Sequence, residues 1–294
     1  MNIKQALEYG IELLKENNID EPIFKLRRIL SNILNKNKEY LMVHELQELN
    51  EDLVKEFKED IFKLCNHIPI QYITNKQEFM GLEFYVDENV LIPQPDTEIL
   101  VEEVVNICRG RSCACPHKNI KILDLCTGSG AIGISIAKNI ENCEITLSDI
   151  SSGALKIATQ NYNNIVGANC VRPQNNNIKI IQSDLFENIK DKFDIIVSNP
   201  PYIKSDIIKT LDKEVQNEPI LALDGGKDGL DIYRKIIEQA YKYLNEDGYL
   251  CLEIGYDQKE EVIKLIEETN KYTDIYSKKD LAGNDRIVVC KKEN

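Results

Sequence analysis

Apolar residues in the first part of the chain recur three and four positions apart, the spacing of helices that bury one face. Ile3, Leu7, Ile11 and Leu14 form one stripe. Asp20 is the expected N-cap of a second helix, with Pro22 in its first turn and Ile23, Leu26, Ile29, Leu30 and Ile33 facing inward. A third helix is expected from Glu51 to Cys65, with Leu53, Phe57, Ile61 and Leu64 as its stripe. Pro69 closes this region, and every stripe is read as core. Residues 78–92 alternate apolar and polar side chains around Asp87-Glu88-Asn89, which predicts a β-hairpin.

From about residue 95 the pattern changes to alternating helix and strand. A helix is expected over 97–108. Short apolar runs near 121–125, 144–148, 178–182, 193–198 and 248–254 read as strands. Helical spacing fills 131–139, 152–164, 229–244 and 257–269, and strands near 272–276 and 286–291 predict a terminal hairpin. This alternation predicts an α/β fold with a mostly parallel sheet covered on both faces. The polar stretch 171–177 is expected to be a solvated loop. No internal repeat interrupts the scheme.

Composition narrows the function classes. A chain of 294 residues with 43% hydrophobic and 29% charged side chains can bury a substantial core, so global disorder is excluded. No apolar run reaches the roughly 18–20 residues that span a bilayer. The amphipathic N-terminus has acids interspersed and does not read as an export signal. An odd number of cysteines, nine, adds to the expectation of a reduced, cytoplasmic protein. Lys+Arg number 36 against 49 Asp+Glu, a net charge of −13. Neither residues 1–78 (11 against 14) nor the remainder (25 against 35) is basic. That balance argues against holding duplex nucleic acid mainly by charge. Cys108, Cys113, Cys115 and His117 lie close together, but their spacing fits no common zinc site, so a loop of reduced thiols and no metal is expected. The other histidines, His44 and His67, lie in the helical region and outside any motif.

Two segments carry chemistry. The first is Asp124-Leu-Cys-Thr-Gly-Ser-Gly130, between a predicted strand and a predicted helix. Gly128, Gly130 and Gly133 match the G-x-G-x-x-G string, which lets backbone N–H groups and a helix N-terminus approach a ligand closely. Asp149 ends the next strand, where a carboxylate can accept both hydroxyls of a ribose. An adenosine-containing cofactor is expected, with a nicotinamide dinucleotide and S-adenosylmethionine as the candidates. Asp124 leans toward S-adenosylmethionine, whose methionine end is cationic and which has no phosphate; a sheet-end cap is the other reading of that residue.

The second segment is Asn199-Pro200-Pro201-Tyr202, directly after the apolar strand FDIIVS and therefore at the carboxyl edge of the sheet. Two prolines fix the backbone and remove two donors, leaving carbonyl acceptors, and the Asn side chain adds another. Tyr202 offers a flat face with a polar tip. The set suits a planar NH2 group held by both hydrogens with its nitrogen aimed at a methyl donor.

With both segments read, the chain resembles the HemK/PrmC-type N(5)-glutamine methyltransferases of peptide chain release factors, a group of class I S-adenosylmethionine-dependent enzymes. IPIQYI at 68–73, EFMGLEFYVDENVLIPQPDTE at 78–98, DLCTGSGAIGISIA at 124–137, SDIS at 148–151 and SDLF at 183–186 carry the resemblance, together with NPPYI at 199–203, EPILALDGGKDGL at 218–230 and DLAGNDRIV at 280–288. It implies a class I methyltransferase (Rossmann-like) fold: a seven-stranded, mostly parallel sheet with a C-terminal antiparallel strand, after a small all-α domain and a β-hairpin linker. The implied domains are a helical substrate-docking domain over 1–75, the linker over 76–94 and the methyltransferase domain over 95–294.

The resemblance also implies roles. Cys126, Thr127, Gly128, Ser129 and Gly130 would line the methionine and ribose of S-adenosylmethionine, which leaves as S-adenosylhomocysteine. Asp149 would bind the ribose hydroxyls, and Asp184 and Leu185 would border the adenine. Asn199 would contact the donor and orient the target amide, with Asn199, Pro200, Pro201 and Tyr202 as the catalytic clamp. The implied substrate is the glutamine of the Gly-Gly-Gln motif of class I release factors, with no membrane and no direct nucleic-acid partner. Two positions depart from the pattern: Cys126 stands where the family usually has glycine, and Gln94 where it often has arginine. A positive φ at 126 would make the cysteine costly. The competing reading is an amino methyltransferase of adenine N6 or guanine N2, whose enzymes share such loops. It predicts a basic groove. A nicotinamide oxidoreductase gives no account of the Asn-Pro-Pro-Tyr loop, and a silent binding module gives none of Asp149 and Asn199 together.

Overall fold

The computed structural model describes residues 1–114, 119–167 and 177–293. It divides into two compact units, one of residues 1–76 with 212–217, the other of residues 77–211 with 218–294.

The smaller unit is helical: α1 (Ile3–Glu16), α2 (Pro22–Leu34), α3 (Lys38–Val43), α4 (Glu51–Cys65) and α5 (Ile70–Thr74). Asn2 caps α1 in a reciprocal capping box with Gln5, and Asn50 caps α4 by accepting from the Leu53 N–H. The second helix differs from expectation at its start. Glu21, not Asp20, is the N-cap; it is left-handed (φ 53) and makes no side-chain cap, so Pro22 alone sets the entry. Ile23 is also half exposed rather than inward, whereas Leu26, Ile29 and Leu30 are buried with Ile3, Leu14, Phe57 and Ile61. Residues 212–217 join this unit through a Lys25–Glu214 ion pair and the Asn217 side chain, which donates to the His67 carbonyl at 3.0 Å.

The larger unit begins with a hairpin, β1 (Gln77–Phe79) and β2 (Leu82–Phe84), paired Phe79 to Leu82. Its turn is Met80-Gly81, both at positive φ (51° and 68°), the conformation a two-residue hairpin turn demands. The expected turn at Asp87-Glu88-Asn89 is instead a local bend in which the Asp87 carboxylate accepts from the Asn89 N–H at 2.9 Å. The sheet elements follow: α6 (Glu98–Ala114), β3 (Ile120–Leu125), α7 (Ala131–Asn139), β4 (Cys143–Asp149), α8 (Ser152–Ile165), β5 (Asn177–Gln182) and β6 (Phe193–Ser198). Next come α9 (Ile220–Leu223), α10 (Asp231–Tyr243), β7 (Leu244–Glu253), α11 (Lys259–Glu268), β8 (Tyr272–Lys279) and β9 (Asp285–Lys292). The expected helix over 97–108 thus runs six residues further, to Ala114.

The seven strands run in the order β5-β4-β3-β6-β7-β9-β8. Pairs among β5, β4, β3, β6 and β7 are parallel, and β9 is antiparallel to both β7 and β8. This is the class I methyltransferase sheet, with the antiparallel strand at its C-terminus. Side-chain alternation along each strand feeds two cores. Ile122, Ile145, Leu147, Ile195 and Val197 pack with α6, α7 and α8 on one face. Leu123, Leu125, Ile196, Leu250 and Leu252 pack with Tyr233, Ile236 and Ile237 of α10 and with α11 on the other.

After β3 the chain steps outward to β4 and β5, then returns to place β6 on the other side of β3. The crevice at the carboxyl ends of β3 and β6 is therefore the topological switch point where such sheets bind ligands. In register, Leu125 faces Ser148 of β4 and Ser198 of β6, and Ser198 faces Leu252 of β7. Four strand ends finish level, and the chemistry-bearing loops leave side by side. Among the described residues no helix is long and apolar enough to cross a membrane. The expected loop over 171–177 lies almost wholly outside the described residues, as do Cys115 and His117 of the thiol cluster; Cys108 is buried in α6.

Candidate active site

A cavity of about 330 Å³ opens at this switch point. Cys126, Thr127, Gly128 and Ser129 line it after β3, Asp149 and Ile150 after β4, Asp184 and Leu185 after β5, and Asn199 and Pro201 after β6.

The glycine loop is braced from below. Asp124 is fully buried; its Oδ2 accepts from the Thr127 hydroxyl at 2.6 Å and the Gly133 N–H at 2.9 Å. It is not a cavity wall, so of its two sequence readings the structural cap is the one observed. Burial raises its pKa to about 7, with the two hydrogen bonds pulling the other way. Gly133 lets α7 lie against the sheet: a Cβ there would sit 2.3 Å from Leu147 Cδ2. Gly130 (φ 81) is the N-cap of α7, the first helix after the loop. Cys126 does sit at positive φ (60), so cysteine occupies a conformation glycine takes freely. Its side chain packs at the edge of the second core, and burial, reinforced by the Asp149 charge, pushes its thiol up to about 12. It is a neutral thiol at physiological pH.

Asp149 is both brace and wall. Oδ2 accepts from the Gly128 N–H at 2.9 Å and Oδ1 from the Ser151 N–H at 2.9 Å. Burial raises its pKa, and these backbone donors offset part of the rise. Each oxygen keeps a second lone pair for a ligand. Leu185 is also left-handed (φ 45), a strained conformation for a bulky side chain at a cavity wall.

The Asn199–Tyr202 loop is held on several sides. The Ser198 hydroxyl donates to the Leu125 carbonyl at 2.6 Å, tying the two strand ends together. Ile203 N–H donates to the Leu223 carbonyl, and Gln258 Nε2 to the Tyr202 carbonyl at 3.0 Å. Of the expected clamp, Asn199 and Pro201 reach the cavity, while Pro200 is buried and Tyr202 stands behind, its hydroxyl 3.4 Å from Glu253. Burial, then the Glu253 charge, raise the Tyr202 pKa, so the phenol stays protonated.

Sequence reading missed the remaining walls. Asn89, Val90, Leu91 and Pro93 form one, and Pro219, Leu221, Ala222, Ile232 and Lys235 another. Glu218, 7% exposed, joins them: its Oε2 accepts from the Ile92 N–H at 2.9 Å. Burial raises this carboxyl to about 7. Gln94 reaches the cavity and donates to the Ile92 carbonyl at 2.9 Å. Thr97 also lines the cavity, accepting from Asn199 Nδ2 at 3.4 Å. The segments DENVLIPQPDTE and EPILAL hold most of these residues, but no periodicity or spacing singles them out.

Comparison with known proteins gives this geometry a family. The PrmC N-terminal domain model matches residues 5–74, and the Methyltransferase small domain model matches residues 97–217. A release factor glutamine methyltransferase of Clostridium acetobutylicum is 40% identical over 294 residues, covering 99% of this chain and 98% of that protein. One of Streptococcus pneumoniae is 40% identical over 247 residues, 83% of this chain and 82% of that protein. Among solved structures, the hMettl16 catalytic domain is similar in fold, with a TM-score of 0.55 at 11% identity over 83% of each chain. With such identity along almost its whole length, this chain belongs to the release factor glutamine methyltransferase family and is an enzyme of methyl transfer.

Proposed function

We propose that this chain transfers a methyl group from S-adenosylmethionine to the side-chain nitrogen of the glutamine in the Gly-Gly-Gln motif of class I release factors. The carrying observation is that one cavity is lined by both the glycine loop with Asp149 and the Asn199-Pro-Pro loop. The cofactor fits the lining. The cavity is large enough for a nucleoside-sized ligand, its walls are apolar at Leu125, Ile132, Ile150 and Leu185, and a Cβ on Gly128 would meet nothing within 4 Å. Asp149 offers lone pairs to the ribose hydroxyls, Asp184 and Leu185 border the adenine, and Cys126 to Gly130 follow the methionine and ribose. When bound, S-adenosylmethionine supplies a sulfonium methyl that is already activated.

The chain's own residues then supply position. An amide nitrogen is a weak nucleophile because its lone pair is conjugated with the carbonyl. Asn199 Oδ1, at the cavity wall, accepts one of its N–H groups and aims the nitrogen. Pro201 keeps the loop rigid, and the protonated Tyr202 takes no proton. The nitrogen proton becomes acidic as the methyl adds and passes to solvent.

The helical unit is read as the docking surface for the release factor. Phe24, Met42, Val43, Leu46 and Phe62 of that unit are all more than half exposed, an apolar display that suits a protein partner. A cytoplasmic site of action fits that partner, and the six cysteines given among the described residues are all free. The test is incubation with labelled S-adenosylmethionine and a purified release factor, beside a factor whose Gly-Gly-Gln glutamine is alanine. Label should enter only the first; equal labelling of both defeats the assignment. Asn199→Ala should abolish transfer while circular dichroism stays unchanged.

A further inference from the structure

One wall of the cavity, made by Asn89, Val90, Leu91 and Pro93, comes from the irregular segment that follows β2. Such a segment has no ladder of its own, so its backbone groups must find partners elsewhere. Helix α8 supplies them.

Asn161 of α8 is 1% exposed and takes the place of a strand partner. Its Oδ1 accepts from the Tyr85 N–H at 2.7 Å, and its Nδ2 donates to the Tyr85 carbonyl at 3.0 Å. Nδ2 also donates to the Ser129 carbonyl at 2.9 Å. One buried carboxamide thus joins the start of the wall to the glycine loop. Its orientation is fixed by its partners: a flip would set a donor against the Tyr85 N–H and lone pairs against two carbonyls. About two turns earlier on the same helix, Gly153 lies against the wall. A Cβ there would sit 2.6 Å from Asn89 Oδ1 and 3.3 Å from Asn89 Cβ. Between the two, Ala154 lines the cavity and Ala158 abuts the loop, since a Cβ on Gly130 would meet Ala158 Cβ at 3.3 Å. Ala154, Ala158 and Asn161 follow helical spacing and share one face. Loop and wall are therefore both seated on α8.

We propose that Asn161 and Gly153 are positioning residues that hold the 85–93 wall against the glycine loop, and so set the grip of the cavity on S-adenosylmethionine. This rests on the cofactor role given to the cavity above. Asn161 suits the place because a carboxamide offers two donors and an acceptor at once, and a carboxylate of the same shape offers no donor. Gly153 suits it because any side chain would displace Asn89, a residue of the cavity wall.

The test is calorimetric titration of the full-length enzyme with S-adenosylhomocysteine, reading Kd and stoichiometry. Asn161→Asp keeps the shape and the Oδ1 acceptor and loses both donors. Its Kd should rise roughly 10-fold or more, with the stoichiometry unchanged. Gly153→Ala adds one methyl group, and alanine favours a helix over glycine. Its Kd should rise several-fold although its helix is no weaker. A purely structural role moves a different quantity: the stoichiometry falls, and the molecules that remain folded keep the wild-type Kd. A wild-type Kd in Asn161→Asp overturns the proposal. If that variant does not fold, Gly153→Ala decides alone, a weaker Kd supporting the proposal and a wild-type Kd overturning it. Wild-type enzyme that binds no S-adenosylhomocysteine overturns the cofactor reading and this inference with it. Wild-type enzyme that binds it no more tightly than the variants removes only this inference.

Discussion

Three carboxyl groups in the larger unit, Asp124, Glu218 and Glu253, are buried and titrate near 7. Each is raised above its unfolded value, so the folded state holds protons the unfolded state has already lost. Stability linked to them is full below their unfolded pKa values and is lost as pH rises through the folded ones. For Glu218 that window runs from about 4.5 to about 7. A carboxamide can still accept from the Ile92 N–H and carries no charge. Glu218→Gln should therefore be more stable than wild type at pH 8, by up to about 3 kcal/mol, and no more stable at pH 4. Urea unfolding at both pH values checks this; a gap independent of pH overturns it. None of these shifts was legible in sequence, because a carboxyl group's pKa depends on how much water the fold leaves around it. Asp149 and Asn199 were legible, because their place at strand ends follows from the local pattern. Thr97 was not, since its partner Asn199 lies far away along the chain.

At the scale of elements, the site exists because β3 and β6 are neighbours. Their register brings Leu125 opposite Ser198, so the loops at Cys126 and Asn199 emerge together. The close seating of α7 on the sheet depends on Gly133. Gly133→Ala should cost about 1–3 kcal/mol by overpacking against Leu147 and should also disturb the Asp124 bond that braces the loop. A lower denaturation midpoint with weaker S-adenosylmethionine binding is the expected result; unchanged values for both would show that the helix has room to move. The sheet strands and most helices were readable because their periodicities are strong and local. The hairpin turn was not, because Met80-Gly81 lacks the Asn-Gly or Asp-Gly signal, whereas Asp87-Glu88-Asn89 has turn chemistry that is spent on a local bend. The short helices α3 and α5, of six and five residues, are below the length at which an apolar stripe is recognisable.

Across the whole molecule, every residue lining the cavity belongs to the larger unit. A chain lacking residues 1–76 is accordingly expected to keep S-adenosylmethionine binding, measured by calorimetry, and to lose methylation of the release factor. Loss of cofactor binding in a folded truncation would place part of the site elsewhere. The hairpin read as a linker belongs by its contacts to the larger unit, and the segment 212–217 belongs to the smaller one although it lies far along the chain. The net charge of −13 weighs against a basic groove and leaves the partner to be identified by the motifs. By itself the sequence determined the α/β class, the glycine loop, the Asn-Pro-Pro-Tyr loop and their order, because each depends on neighbours within a few residues. Only the tertiary structure decided that Asp124 supports the loop from beneath, that Tyr202 stands behind the cavity, and that Thr97 meets Asn199. Those outcomes depend on burial and on contacts between distant segments, which exist only once the strands are side by side.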